Sequence, residues 1–135
     1  VKKKKKLKSV ASLKKKLDTV FSRYIRLRDA NDMGFCTCIS CGKVDEWKSM
    51  HCGHFLSRRY NAIRFDERNA HAQCPACNLF LSGNAAEYLV ALEKRYGREV
   101  VDELMQMKYQ SKRFTRPELE EMIQFYKDAN AKSQV

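Results

Sequence analysis

The chain is predicted to adopt a mostly helical α+β fold, on three observations. Apolar residues recur at three- and four-residue steps in four separate segments, as expected of helices that bury one face. After the first of these come two C-x-x-C pairs, Cys38-Ile39-Ser40-Cys41 and Cys74-Pro75-Ala76-Cys77. Between the pairs lies a short extended stretch. This order divides the 135 residues into 1–34, a basic arm and amphipathic helix; 35–84, a cysteine-bound core; and 85–135, a C-terminal helical region.

The first helix is expected from Ser9 to about Ala30, where Val10, Leu13, Leu17, Val20, Phe21, Tyr24, Ile25 and Leu27 form one stripe, with Asn31 and Gly34 to stop it. Trp47 to Ser57 reads as extended, with residues 35 to 38 or the Ala62 to Phe65 segment as its partner strand. Cys77-Asn78 should open a short helix ending near Ser82-Gly83. Ala85 to Tyr96 and Glu99 to Lys108 place Tyr88, Leu89, Leu92, Val100, Val101, Leu104 and Met105 at helical spacing, with Gly97 as the break. The last helix is expected to start at Thr115-Arg116-Pro117-Glu118, since Thr is a good N-cap and Pro suits a first turn, and to run through Met122, Ile123 and Tyr126. These stripes read as core, and no organic cofactor is expected.

Six cysteines in a chain without a secretory signal point to a metal before a disulfide. Two residues between thiolates allow a tight turn to aim both sulfurs at one ion, so Cys38, Cys41, Cys74 and Cys77 are expected to form a closed structural Zn²⁺ site. Gly42 suits the positive φ such a turn often needs. Cys36 and Cys52 are left over and read as small buried hydrophobes. A redox C-x-x-C would need a thioredoxin-like βαβ pattern, which is absent.

Charge narrows the partners. Lys plus Arg total 27 against 16 Asp plus Glu, net +11, yet nine of the lysines fall in the first 16 residues, which leaves 18 basic and 16 acidic residues, net +2, for the remainder. The arm, with Lys2, Lys3, Lys4, Lys5 and Lys6 in one run, is therefore expected to contact a polyanion, since lysines near phosphates release condensed counterions; the competing reading is a solubility tail. No run of 18 apolar residues and no apolar h-region exist, so a soluble, intracellular protein with no membrane partner is expected. A first residue of Val rather than Met reads as processing or trimming.

The insert between the cysteine pairs holds the residues able to do chemistry. Two of the three histidines, His51 and His54, sit on the extended stretch, followed by Asn69 and by Asn78 directly after the last cysteine. An imidazole can act as general base toward water if a second group orients its other nitrogen and a divalent cation offsets phosphoryl charge. Asn78 offers a hard amide oxygen to Mg²⁺. Arg58, Arg59, Arg64 and Arg68 are read as phosphate contacts, some of them able instead to pair with Asp66 and Glu67. His71 reads as a hydrogen-bonding scaffold residue.

The string Tyr24-Ile25-Arg26-x-Arg28-Asp29-Ala30, Cys38-Ile39-Ser40-Cys41-Gly42, Gly53-His54-Phe55, Ser57, Arg64-Phe65, Asn69, His71, Gln73-Cys74, Cys77-Asn78 and Leu81-Ser82-Gly83-Asn84 resembles the NinG/Rap family of lambdoid phage recombination endonucleases. The resemblance covers roughly residues 17 to 130. It implies a ββα-metal (HNH) finger held by the four-cysteine zinc site, with His54 as general base, Asn69 bracing the loop, and Asn78 as ligand to a catalytic Mg²⁺ or Mn²⁺. It also implies a structure-specific DNA endonuclease acting on branched recombination intermediates, Holliday junctions or D-loops, in the host cytoplasm or nucleoid. Family members carry a further cysteine-rich segment before the basic helix, absent here and consistent with trimming. Gly53 stands where many HNH nucleases have a metal-binding Asp; His51-Cys52-Gly53-His54 is instead similar to the Asp-Arg-Gly-His motif of nonspecific ββα-metal nucleases, which puts His51 in the place of Asp, to contact the metal or orient its water. The rival reading is a non-catalytic zinc-containing nucleic-acid-binding module; a third is an RNA-directed nuclease. The stripes at residues 99 to 108 and 117 to 127 could form a homodimer face.

Overall fold

Ser9 accepts a hydrogen bond from the Ser12 N–H and so caps helix α1, Val10–Asp29, whose 20 residues contain no Gly or Pro to interrupt it. The computed structural model describes residues 6–135, so the Lys2 to Lys5 contacts expected of the arm lie outside the described residues, while Lys6 is exposed. Leu13, Leu17, Phe21 and Ile25 recur at four-residue steps and are all buried. They pack against a C-terminal helix, Arg116–Ala131, which Thr115 and Glu118 start with a reciprocal capping box. Leu119, Ile123 and Tyr126 from that helix, with Phe65 and Phe114, complete the largest core. The Phe21 ring meets Phe65 and Tyr126 edge-on at 5.5 and 5.2 Å between centroids, an arrangement that suits aromatic quadrupoles.

Two small antiparallel hairpins follow α1. Strands β1, Phe35–Thr37, and β2, Val44–Glu46, flank the first cysteine turn, where Gly42 takes φ 81°. After a 3-10 turn, Trp47–Ser49, strand β3, His51–His54, pairs with β4, Ala70–Gln73, in the register His51 to Gln73 and His54 to Ala70. This corrects the partner expected for the extended stretch. Residues 35–37 pair with β2, and Ala62 to Arg64 lie in a short helix α2, Asn61–Arg64. The sequence Ala-His-Ala-Gln of β4 is buried at every position, so it lacks the alternation that marks a half-exposed strand.

The end of α1 holds β4 in place. Arg28 donates to the carbonyls of Glu67 and Ala70, each at 2.8 Å, and Asp29 accepts from the Ala72 N–H at 2.8 Å. The bonds to Ala70 and Ala72 satisfy backbone groups that the two-stranded sheet leaves unpaired. Beyond β4 the chain makes a single wide π-helical turn, Ala76–Phe80, then α3, Ala85–Tyr96, and α4, Arg98–Met107, broken by Gly97 at φ 88° as expected. Tyr88, Leu92 and Val101 form the core between them. The capped C-terminal helix is α5. Among the described residues, no helix is long and apolar enough to cross a membrane.

Candidate metal centre and cleft

The first cysteine turn lies between β1 and β2, and the second follows β4. Together they bring Cys38, Cys41, Cys74 and Cys77 to one point, with all four sulfurs within 4.8 Å of one another and none in a disulfide. The Cys41 and Cys74 sulfurs lie 3.7 Å apart. Tetrahedral zinc with bonds of about 2.3 Å has sulfur–sulfur edges of about 3.8 Å, so the spacing fits such an ion. The Cys77 N–H donates to Cys74 Sγ at 3.5 Å and the Asn84 amide to Cys77 Sγ at 3.6 Å, contacts that hold the two sulfurs in place. The two remaining cysteines are apart from this cluster. Burial pushes the Cys36 thiol up to about 11 and the Cys52 thiol up to about 12, so both stay protonated at neutral pH.

The residues between the two turns converge on a cleft of about 420 Å³, lined by His51 and His54 from β3, Asn78 from the wide turn, Asp18 and Arg26 from α1, and Arg58 from the loop after β3. His54 Nε2 lies 3.0 Å from the Arg64 carbonyl. A carbonyl can only accept, so Nε2 carries the proton and Nδ1 keeps a lone pair. Burial holds the His54 imidazole below its ordinary pKa, against the opposing pull of the Arg64 carbonyl and Asp18, which keeps it a neutral base. Opposite it, the Asn78 amide nitrogen donates to His51 Nδ1 at 3.0 Å. That bond leaves Asn78 Oδ1, a hard oxygen, as its free donor atom toward a cation.

Asn69 is fully buried and holds the loop that joins the strands. Its side chain accepts from the Leu56 N–H at 2.9 Å and donates to the carbonyls of Leu56 at 2.9 Å and Ile63 at 3.3 Å. His71, paired with Gly53, lies on the opposite face of the sheet from His54 and between two tyrosines, with Nδ1 3.1 Å from Tyr88 Oη and Nε2 2.7 Å from Tyr96 Oη. Tyr88 donates to the Gly53 carbonyl at 2.7 Å, so this network ties α3 to the strand that bears His54. His71 therefore does not reach the cleft.

The family model for the bacteriophage lambda NinG protein matches residues 1–134. The chain belongs to the NinG family. It is 39% identical over 93 residues to protein ninG of Escherichia phage 933W, covering 67% of this chain and 43% of that protein. Against protein ninG of Escherichia phage lambda and of Salmonella phage P22 it is 38% identical over 93 residues, covering 67% of this chain and 42% of each. The alignments thus span less than half the length of these relatives. No solved structure matches.

In this NinG chain the four arginines expected at phosphates divide into two pairs. Arg64 is committed to Asp18 and donates to the Arg58 carbonyl, and Arg68 is bound by Asp66 and Glu103. Arg58 and Arg59 are exposed, with the Arg58 guanidinium 3.8 Å from Asp18 at the cleft. Glu67, the other carboxylate expected to pair with them, accepts from Tyr126 instead. Sequence reasoning missed Asp18, Arg26 and Lys48 as cleft residues. Asp18 and Arg26 lie eight positions apart on α1, two turns along one face, and that spacing could have flagged them together. A Cβ at Gly53 would overlap the Gln73 side chain, which itself donates to Ser40 at 2.8 Å and to the Gly83 carbonyl at 2.7 Å. An acidic side chain at position 53 has no room.

Proposed function

We propose that this NinG-family chain is a metal-dependent endodeoxyribonuclease of the ββα-metal type, with His54 as general base and Asn78 as the ligand of a catalytic cation. The observation that carries the reading is the meeting of His54, His51 and Asn78 in one polar cleft, on an antiparallel hairpin and a following helical turn fixed by the same thiol cluster. Cys38, Cys41, Cys74 and Cys77 would hold Zn²⁺ as a closed structural site, since four thiolates leave no open position for substrate. Asn78 would hold Mg²⁺ or Mn²⁺, a cation that keeps several of its own waters and so needs few protein ligands. When bound, it supplies Lewis acidity that offsets charge on the departing 3′ oxygen.

The remaining steps belong to the chain. His54 Nδ1 takes the proton from the attacking water while the Arg64 carbonyl holds Nε2–H and fixes the tautomer. Asn69 keeps the loop after β3 from moving the base. His51 orients the Asn78 amide, a positioning role that explains a histidine where related motifs have a carboxylate. Arg58, Arg59, Arg26 and Lys48 supply cations for the phosphates on either side of the scissile bond. The Lys-rich arm adds salt-sensitive affinity. Branched DNA is the substrate class that the NinG/Rap resemblance favours.

Plasmid nicking tests the reading against a passive zinc module. Nicking that needs Mg²⁺ or Mn²⁺, stops with EDTA and is absent from Asn78→Ala supports it. Tight DNA binding with no nicking under any divalent cation would leave the module as the better account.

A further inference from the structure

Three consecutive large apolar residues, Leu79, Phe80 and Leu81, follow the cleft residue Asn78 and are 61%, 82% and 58% exposed. Their backbone is fixed. The Leu81 N–H donates to the Ala76 carbonyl at 3.0 Å, the Gly83 N–H to the Cys77 carbonyl at 2.8 Å, and the Gln73 side chain to the Gly83 carbonyl at 2.7 Å. The chain returns through positive φ at Ser82, Gly83 and Asn84, two of them non-glycine positions where that conformation is costly. A tightly held turn that presents three apolar side chains to water calls for an occupant.

The neighbours narrow what that occupant is. Asn78, Ser82 and Gly83 line a second arm of the cleft together with His54 and Arg58, so a body seated on the triplet also lies at the mouth of the cleft. The cleft is polar and cationic at Arg26, Lys48 and Arg58, a poor match for an apolar protein surface. A nucleic acid offers phosphates to the cations and the faces of its bases to the apolar tip, and Phe and Leu are among the side chains that wedge into base steps.

We propose that Leu79, Phe80 and Leu81 form a wedge that packs against unstacked bases at a branch or distortion of the DNA bound in the cleft. The proposal rests on the cleft being the DNA site and names the feature of the substrate that is read. Fully paired duplex has no free base face for Phe80, whereas a branch point exposes one. The wedge thus selects distorted over regular DNA while the arginines bind both.

The test uses the full chain in a His54→Ala background, with a four-way junction carrying 2-aminopurine at the branch and a matched linear duplex. Binding should raise the 2-aminopurine fluorescence. Phe80→Ser should cut that rise several-fold and weaken junction binding about tenfold, with duplex affinity changed less than twofold. Leu79→Ser provides a second variant, and retained zinc content and circular dichroism report that each has folded. Unchanged fluorescence and junction preference in both variants would overturn the wedge. So would light scattering that shows a dimer dissociated by Phe80→Ser, since the triplet would then be a contact between copies. A fluorescence rise lost in Phe80→Ser, when the chain with His54 intact cuts no DNA with any divalent cation, would keep the wedge and remove the nuclease reading.

Discussion

The Arg64 carbonyl accepts the Nε2 proton of His54 at 3.0 Å, while the Arg64 guanidinium is gripped by Asp18 of α1. One residue thus fixes the tautomer of the candidate base and anchors α2, which carries the carbonyl, to the N-terminal helix. Asp18→Asn should release that anchor. Cleavage is expected to fall about tenfold to a hundredfold, as displacing a reacting group by about 1 Å does. Asp18 also raises the His54 pKa, so the same variant should move the His54 titration, followed by NMR, to lower pH. An unmoved titration with unchanged cleavage would detach Asp18 from the site.

Burial sets the pH range of the proposed reaction. As its proposed base, His54 would act when unprotonated, and its pKa lies below the ordinary 6.5. The half-point of the cleavage rate should therefore lie below pH 6.5. A pH–rate profile with its half-point at or above 6.5 would contradict the assignment.

His71 predicts acid sensitivity of the fold itself. Burial, with Arg28 nearby, pushes its pKa down to about 3, whereas in the unfolded chain it is near 6.5. The unfolded state therefore takes up a proton first as pH falls. The contribution is fully present above pH 6.5 and is lost at up to about 1.4 kcal/mol per pH unit between 6.5 and 3. Urea unfolding should show about 2 kcal/mol less stability from this group at pH 5 than at pH 8. The buried His54 acts in the same direction. In His71→Gln the slope should flatten; an equal slope in the variant would show that the Tyr88–His71–Tyr96 network does not hold a neutral imidazole.

The thiol cluster predicts a division among the cysteines. Cys38→Ser or Cys74→Ser should remove zinc from the purified protein and lower the melting temperature sharply, because a structural metal contributes directly to folding. Cys36→Ala and Cys52→Ala should retain one zinc per chain. Metal analysis by atomic emission separates the two outcomes, and loss of zinc in Cys52→Ala would redraw the site.

Much of this was legible in the sequence because its signals are local. The stripe in α1, the Thr115 N-cap, the Gly97 break and the paired cysteine turns each depend on residues within a few positions of one another. The partner of β3 was not legible, since Ala70 to Gln73 is buried on all sides and held by Arg28 and Asp29, 42 and 43 positions earlier in the chain than the residues they bind. Likewise, the order of His54, Asn69 and Asn78 suggested a site, and a local pairing such as that of Arg68 with Asp66 was open to the sequence, whereas the commitment of Arg64 to Asp18 and of Arg68 to Glu103 depends on long-range packing that residue types do not encode. The exposure of Leu79 to Leu81 is set by the turn that follows Cys77, which residue types alone do not encode.

Chemical rescue tests the central claim, that His54 is the base of a hydrolytic site, most directly. With a labelled DNA junction and Mg²⁺, His54→Ala should lose about 10² to 10⁴ of the cleavage rate, the usual weight of a general base, and added imidazole should restore part of it. Undiminished cutting by His54→Ala, or a loss that imidazole leaves untouched while it does restore a control enzyme, would contradict it.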